Sequence, residues 1–180
     1  MLKIKVRGTE LFDEATSRVI TTPDTVLTLE HSLLSVSRWE SKWHKSFLKE
    51  GLKSDAESID YVRCMTITQN VDENVYLSLS MENIAEIRKY IDDPMTATTF
   101  NDSGIGKKNR RAITSELIYY WMTVYNIPFS CEKWNFNRLL VLIRVCSIES
   151  APKKKMSKAN IMKQNAMLNE QRKKRLNTMG

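Results

Sequence analysis

Residue types that commonly carry catalysis are few and scattered in this 180-residue chain. The two histidines, His31 and His44, stand apart from any cysteine or second histidine at metal-ligand spacing, which argues against a zinc site. Glu40 lies four residues before His44, a spacing that predicts an exposed ion pair on a helix rather than a catalytic dyad. The segment 104–108 lacks the spacing of a phosphate-binding loop. We therefore predict no enzyme, no catalytic residue, no metal site and no cofactor.

Cysteine and tryptophan residues favour packing over chemistry. Cys64, Cys131 and Cys146 are widely spaced, which predicts reduced, buried thiols in a cytosolic protein rather than a disulfide framework. The tryptophans fall on predicted helices, where core packing explains them better than a partner-facing groove, although both interpretations stay open: Trp39, Trp43, Trp121 and Trp134. We expect no secretory signal and no membrane span, because residues 1–8 alternate charged and apolar side chains and no run approaches about 18 apolar residues.

The net charge of +7 resides in the C-terminal segment. Residues 151–180 hold nine basic residues and one acidic residue, so this segment carries +8 and residues 1–150 carry −1. Three interpretations stay open: a solvated end, a segment that folds onto a protein partner, and a nucleic-acid contact through phosphates. The side chains that would contact a partner are basic and apolar residues of this tail: Lys153, Lys154, Lys155, Met162, Met167, Leu168, Arg172, Lys173, Lys174 and Arg175.

The first 30 residues have the pattern of strands. Leu2, Ile4 and Val6 alternate with basic residues, and apolar segments at 19–20 and 25–29 flank a turn at 22–24. We predict two or three short antiparallel strands here, followed by helices over residues from about 32 to 150.

Helical spacing begins near Ser32. Apolar residues spaced three and four apart predict a helix from about Ser32 to Lys49, whose stripe is formed by Val36, Trp39, Trp43 and Phe47. Ser54 and Glu57 fit a capping box, and Ser80 is placed to cap a helix whose inner face carries Ile84, Ile87 and Ile91.

Two further segments are apolar almost all round, at about 114–126 and 132–148. A helix without a polar face is typical of the centre of a core, so we predict a central hairpin in which Trp121 and Leu140 are buried. Residues 95–111 are predicted to form a loop. Beyond residue 151 the sequence is too polar to offset its ordering entropy, which predicts a flexible or conditionally helical tail.

These elements predict an α+β fold, predominantly α-helical, with a small N-terminal antiparallel sheet, a helical body and a mobile basic C-terminal tail. The body spans residues 1–150 and the tail spans residues 151–180.

Segments spread over nearly the whole chain are similar to those of known proteins: 11–14, 39–45, 113–122, 126–129, 137–140 and 168–172, together with Trp134. These segments resemble small tail proteins of long-tailed bacteriophages, and the family that they resemble is that of the tail assembly chaperones. Two positions depart from the family pattern, which has proline where Ser46 stands and histidine where Asn135 stands.

The resemblance implies a function in virion assembly in the host bacterial cytoplasm. A chaperone of this family binds the long, apolar, helical tape measure protein before tail tube subunits polymerise around it, and the tail tube protein is a second candidate partner. Two alternatives stay open: a structural virion component such as a connector or tail-completion protein, and a nucleic-acid-binding protein that acts through the basic tail. No membrane partner is expected.

Overall fold

The computed structural model describes residues 1–13, 18–49, 51, 53–100, 112–151 and 158–176. The chain is mostly helical with small N-terminal antiparallel sheets, which confirms the predicted α+β class. It divides into two compact units, Met1–Ser147 and Ile148–Gly180. The first unit holds the apolar core described below.

Four short strands form two antiparallel ribbons in the N-terminal part of the first unit. β1 (Leu2–Val6) pairs with β4 (Thr25–Leu29), and β2 (Glu10–Asp13) pairs with β3 (Arg18–Thr21). The prediction of two or three strands omitted β2, because its two apolar residues lie between two acidic ones and give no clear alternation. The alternation in β1 and β4 is real, and it buries Ile4, Val6, Leu27 and Leu29 against the helices.

The two ribbons are joined by two three-residue segments, 7–9 and 22–24, which lie outside both ladders. The Thr22 amide donates to the Thr9 carbonyl (2.9 Å), and the Gly8 amide donates to Asp24 Oδ1 (2.8 Å). A Cβ at Gly8 would lie 2.3 Å from the Thr22 carbonyl oxygen, so this close backbone approach requires glycine. Because the two segments have equal length, the register of the first ribbon continues into the second.

Helix α1 (Leu33–Trp43) begins at Ser32, whose hydroxyl accepts from the Ser35 amide (3.3 Å). It ends six residues before the predicted end at Lys49, because His44 adopts a left-handed conformation (φ 52°) that terminates the helix. Phe47 therefore reaches the apolar cluster from the following loop, where its ring lies 5.4 Å from that of Trp39, edge to face. The predicted residues do pack together, but the prediction that Phe47 lies on the helix is wrong.

Glu40 does not form the predicted exposed ion pair with His44. Its side chain is buried, whereas His44 is exposed. The Glu40 carboxylate instead accepts from two backbone amides, those of Phe47 and Ser115, each at 2.7 Å. The second bond satisfies an amide at the start of α4 (Ser115–Val124), where Thr114 supplies no side-chain cap. Glu40 therefore ties the end of α1 to the beginning of α4.

Replacing Glu40 by alanine is expected to lower the free energy of unfolding by about 2 kcal/mol, because the buried Ser115 amide and the part-buried Phe47 amide lose a charged acceptor. Glu40→Gln keeps one acceptor oxygen at the same distance from the backbone, so its free energy of unfolding should fall by less. Chemical denaturation of the wild type and both variants measures the difference. Equal losses for the two variants would show that the carboxylate bonds do not contribute as argued.

The helix starts predicted by side-chain caps are confirmed for α2 (Asp55–Met65) and α3 (Met81–Asp92). The Ser54 hydroxyl accepts from the Glu57 amide (3.2 Å), and Glu57 Oε2 accepts from the Ser54 amide (2.8 Å). Ser80 accepts from the Asn83 amide (3.2 Å) in the same way. A 3₁₀ helix over Glu73–Ser78 lies between α2 and α3, and Pro94 lies just past the end of α3.

The remaining helices are α4 (Ser115–Val124), α5 (Phe136–Ser150) and α6 (Lys158–Leu176), with a 3₁₀ helix over Phe129–Lys133 before α5. The prediction that α4 and α5 form a central hairpin is wrong. The helix α1 packs against both α2 and α4, and Trp121 and Leu140 are only half-buried. The largest fully buried side chains of the described residues are instead Trp39 and Phe136, each 1% exposed.

Other predictions are borne out in part. Cys131 is buried, but Cys64 and Cys146 are only half-buried. Residues 95–100 have no helix or strand, as predicted, and residues 101–111 of the predicted loop lie outside the described residues. The tail contains the helix α6, and its mobility stays a prediction.

Candidate partner-binding surfaces

The partner-binding residues predicted in the tail lie on α6 where the structure describes them. Met162, Met167 and Leu168 are 74%, 64% and 43% exposed, and the basic side chains at 172–175 are exposed as well. Lys153, Lys154 and Lys155 lie outside the described residues. The exposure of these apolar side chains leaves them accessible to a partner.

The structure does not gather these residues on one face of α6. Met162 and Met167 are five residues apart and Leu168 follows at once, so the three side chains leave the helix in different directions. Arg172, Lys173, Lys174 and Arg175 are consecutive and surround the last turn, where basic charge also complements the helix dipole. Lys174 forms an ion pair with Glu170 at 3.4 Å. The helix α6 thus presents a basic end rather than an amphipathic stripe.

An open groove of about 470 Å³ lies between α2 and α3. Apolar side chains spaced for a helix face line both sides: Ile59 and Val62 on α2, and Ile84, Ile87 and Ile91 on α3. Met81 also lines the groove, and 79% of the Met81 surface is exposed. The sequence identifies the α3 stripe as an inner face, yet it gives no signal that this stripe lines a groove instead of packing directly on a neighbouring helix.

The bottom of the groove is aromatic and uncharged. The rings of Phe47 and Tyr61 lie with their centroids 4.2 Å apart, and Tyr61 Oη lies 2.5 Å from Nδ1 of the buried His31. Burial lowers the pKa of His31 to about 4 and raises the pKa of Tyr61 well above its ordinary value. Both side chains are therefore neutral near pH 7, and the groove presents apolar contacts without a buried charge beneath them.

Three charged side chains also line the groove, namely Lys53, Asp55 and Arg88. The Lys53 ammonium donates to the Phe47 carbonyl (3.1 Å) and lies 4.3 Å from the centroid of the Phe47 ring. Burial lowers the pKa of Lys53, and the nearby Glu57 carboxylate acts in the opposite direction. The groove therefore carries charges of both signs beside its apolar stripes.

A set of polar contacts holds α2 on α1. The indole N–H groups of Trp39 and Trp43 donate to the Glu57 carbonyl (2.9 Å) and to Asp60 Oδ2 (2.8 Å), and the Lys42 ammonium pairs with Asp60. Lys45 pairs with the Glu57 carboxylate at 2.5 Å, and this bond is the main reason that the pKa of Glu57 is lowered. These groups bond to one another, so we assign them to positioning one wall of the groove.

A second apolar surface lies on the outward side of α4. The inward side of this helix buries Ser115, Ile118 and Met122, while Tyr120 and Val124 are 62% and 50% exposed on the other side. The all-round apolar composition that predicted burial is therefore divided between the core and solvent.

Within the described residues, no group of three or more histidine, cysteine, aspartate or glutamate side chains is arranged to hold a metal ion. Among the helices in that part of the chain, none combines the length and apolar composition that crossing a membrane requires. Comparison of the chain with protein families, with curated proteins and with solved structures found no match. The resemblance to tail assembly chaperones therefore stays a prediction.

Proposed function

We propose that this protein is a phage tail assembly chaperone that binds an apolar helical segment of the tape measure protein in the α2–α3 groove and catalyses no reaction. The observation that supports this proposal is the groove itself, which is open, apolar at its base and lined by two helix faces. The resemblance of the sequence supplies the identity of the partner.

The groove has the geometry of a helix-binding surface. An amphipathic helix presents anchors at positions i, i+3 or i+4, and i+7, and it binds by laying them between two apolar helix faces. The tape measure protein, as the resemblance implies, exposes such faces until the tail tube encloses it, and exposed apolar faces of that extent cause aggregation. Covering them in the α2–α3 groove would keep the partner soluble.

The size of the groove suits a temporary complex. Each fully buried aliphatic anchor contributes roughly 1.5–3 kcal/mol, and association itself costs about 4–15 kcal/mol. Two or three anchors supply about 3–9 kcal/mol, which exceeds the cost of association only towards the lower end of its range, so binding in this groove is weak and tail tube subunits can displace the protein. The exposed methionines of α6 offer further adaptable contacts to the same partner.

The proposal is tested with a pair of substitutions on α3. Ile84→Glu places a carboxylate in the groove, whereas Ala85→Glu places the same carboxylate on the adjacent exposed position of the same helix. Co-expression with the cognate tape measure protein should give soluble, co-purifying complex with the wild type and Ala85→Glu. Ile84→Glu should bind at least tenfold more weakly, because the variant loses an apolar anchor and its carboxylate loses hydration when a partner covers it, at a cost of more than about 1.4 kcal/mol.

Circular dichroism of the isolated variants establishes that both are folded. Capture of the partner by Ile84→Glu at wild-type affinity would exclude the groove as the binding surface. An insoluble partner with every form of the protein would overturn the chaperone function, and abundant protein in purified virions would favour the structural component instead.

Nucleic-acid binding is a second candidate function, and the observation that favours it is the basic end of α6 at 172–175. Contacts with phosphates release counterions, so the affinity for DNA or RNA would fall steeply as the salt concentration rises. The described part of α6 has no aromatic side chain for base stacking, so any such binding would be independent of sequence.

A further inference from the structure

The outward side of α4 carries a compact apolar stripe of four residues. The stripe consists of Leu117, Tyr120, Trp121 and Val124. Successive members are three, one and three residues apart, a spacing that places all four on one face of the helix. Tyr120 and Val124 are 62% and 50% exposed, and Leu117 and Trp121 are half-buried. A contiguous apolar face of this kind marks an interaction surface rather than isolated surface residues.

The spacing of the stripe is symmetric about its midpoint between Tyr120 and Trp121. A second α4 helix packed antiparallel across a two-fold axis at that midpoint places Leu117 opposite Val124 and Tyr120 opposite Trp121. Every apolar position then contacts an apolar position of the other copy. This is the property that an isologous interface requires, since the same patch must be complementary to itself.

The charge on α4 is compatible with this arrangement. Glu116 is the sole charged residue of the helix, and it lies at the N-terminal end. Antiparallel packing separates the two Glu116 positions by roughly 13 Å along the axis. That separation exceeds the Debye length of about 8 Å at physiological ionic strength, so repulsion between the carboxylates is largely screened.

We propose that two copies of this chain associate through their α4 stripes in an antiparallel, two-fold symmetric dimer. The stripe shares no residue with the α2–α3 groove, which is concave and therefore not complementary to itself. A dimer of this kind presents two grooves, and two linked grooves hold a long partner more tightly than one. The self-association is independent of the identity of that partner.

The expected affinity follows from the length of the stripe. A 10-residue helix is about 15 Å long, so the contact is smaller than a standard interface of about 800 Å² per partner. Interfaces of that size are weak and transient, so the dimer should be populated only at high protein concentration. It forms as the protein concentration rises and dissociates on dilution.

Sedimentation equilibrium over a hundredfold range of protein concentration tests the dimer in the full chain. The wild type should pass from monomer to dimer, and Val124→Glu should weaken the association at least tenfold. Thr123→Glu is the matched control, because it places the same charge in the same helical turn beside the stripe, and it should dimerise like the wild type. A wild type that stays monomeric, or equal dimerisation of all three proteins, overturns the proposal.

The two-fold geometry is tested by charge rescue. Leu117→Lys and Val124→Glu should each remain monomeric alone, and an equimolar mixture should form the heterodimer because positions 117 and 124 face each other. Circular dichroism of each variant excludes unfolding as the cause of lost association. Two folded variants that stay monomeric when mixed would overturn the antiparallel arrangement.

Discussion

Replacing Trp39 by alanine is expected to lower the free energy of unfolding by about 3–5 kcal/mol. The side chain is 1% exposed, and its indole N–H donates to the Glu57 carbonyl at 2.9 Å. Its ring stacks near that of Trp43 (6.3 Å between centroids) and meets the ring of Phe47 edge to face. The substitution leaves a cavity between α1 and α2 and removes the indole hydrogen bond, and the loss is a large share of a typical stability of about 5–15 kcal/mol.

Trp134→Ala is the matched control for this substitution. Trp134 is 39% exposed and lies under the Arg138 guanidinium at 4.7 Å, so its removal opens no comparable cavity and should cost less than about 1 kcal/mol. Urea denaturation of the three proteins gives the two differences. A similar cost for both tryptophans would mean that the core is not centred on α1.

The features predicted correctly from sequence depend on local physics. The alternation of Leu2 to Val6 predicts one ribbon strand because the side-chain period of a strand is two. Ser54 and Ser80 mark helix starts because the hydroxyl groups satisfy amides within the same turn. Each of these signals is complete within a few residues and needs no tertiary contact.

The errors arise where tertiary structure decides between local alternatives. The spacing of Phe47 fits one more helical turn, but the buried Glu40 carboxylate binds the Phe47 amide and the chain leaves the helix at His44. Nothing in the sequence shows that Glu40 is buried, because the amides that donate to its carboxylate belong to the loop after α1 and to the distant Ser115. An exposed ion pair is the simpler interpretation of the same spacing.

The candidate surfaces differ in how far sequence could reveal them. The basic tail is visible from charge alone, although only the structure shows that Met162, Met167 and Leu168 share no face. The apolar composition of α4 is equally visible, but a helix apolar on all sides is either fully buried or half-buried with a free face, and composition does not distinguish the two. The groove is set by the separation of α2 and α3, which only the packed structure defines.

The stability of the protein is expected to fall by about 3 kcal/mol between pH 6.5 and pH 4 because of His31. Its imidazole is 1% exposed, lies 2.5 Å from Tyr61 Oη and packs edge to face on Phe136 at 5.2 Å. Burial lowers the pKa of His31 from 6.5 in the unfolded chain to about 4 in the folded protein. Below pH 6.5 the unfolded chain binds a proton that the folded protein excludes, so acidification favours unfolding.

The contribution of His31 is fully present above pH 6.5 and is lost as the pH falls towards 4, since each pKa unit corresponds to about 1.4 kcal/mol. His31→Gln removes the titrating group, so its free energy of unfolding should change less with pH over this range, although the variant is less stable at pH 7. His44→Gln removes an exposed imidazole and should keep the wild-type dependence. The three proteins share the same carboxylates, so the difference between the wild type and His31→Gln isolates the buried imidazole.

The measurement is the denaturation midpoint of each protein from pH 7.5 to pH 4. If the midpoints of the wild type and of His31→Gln fall in parallel over this range, His31 does not contribute to the loss of stability in acid.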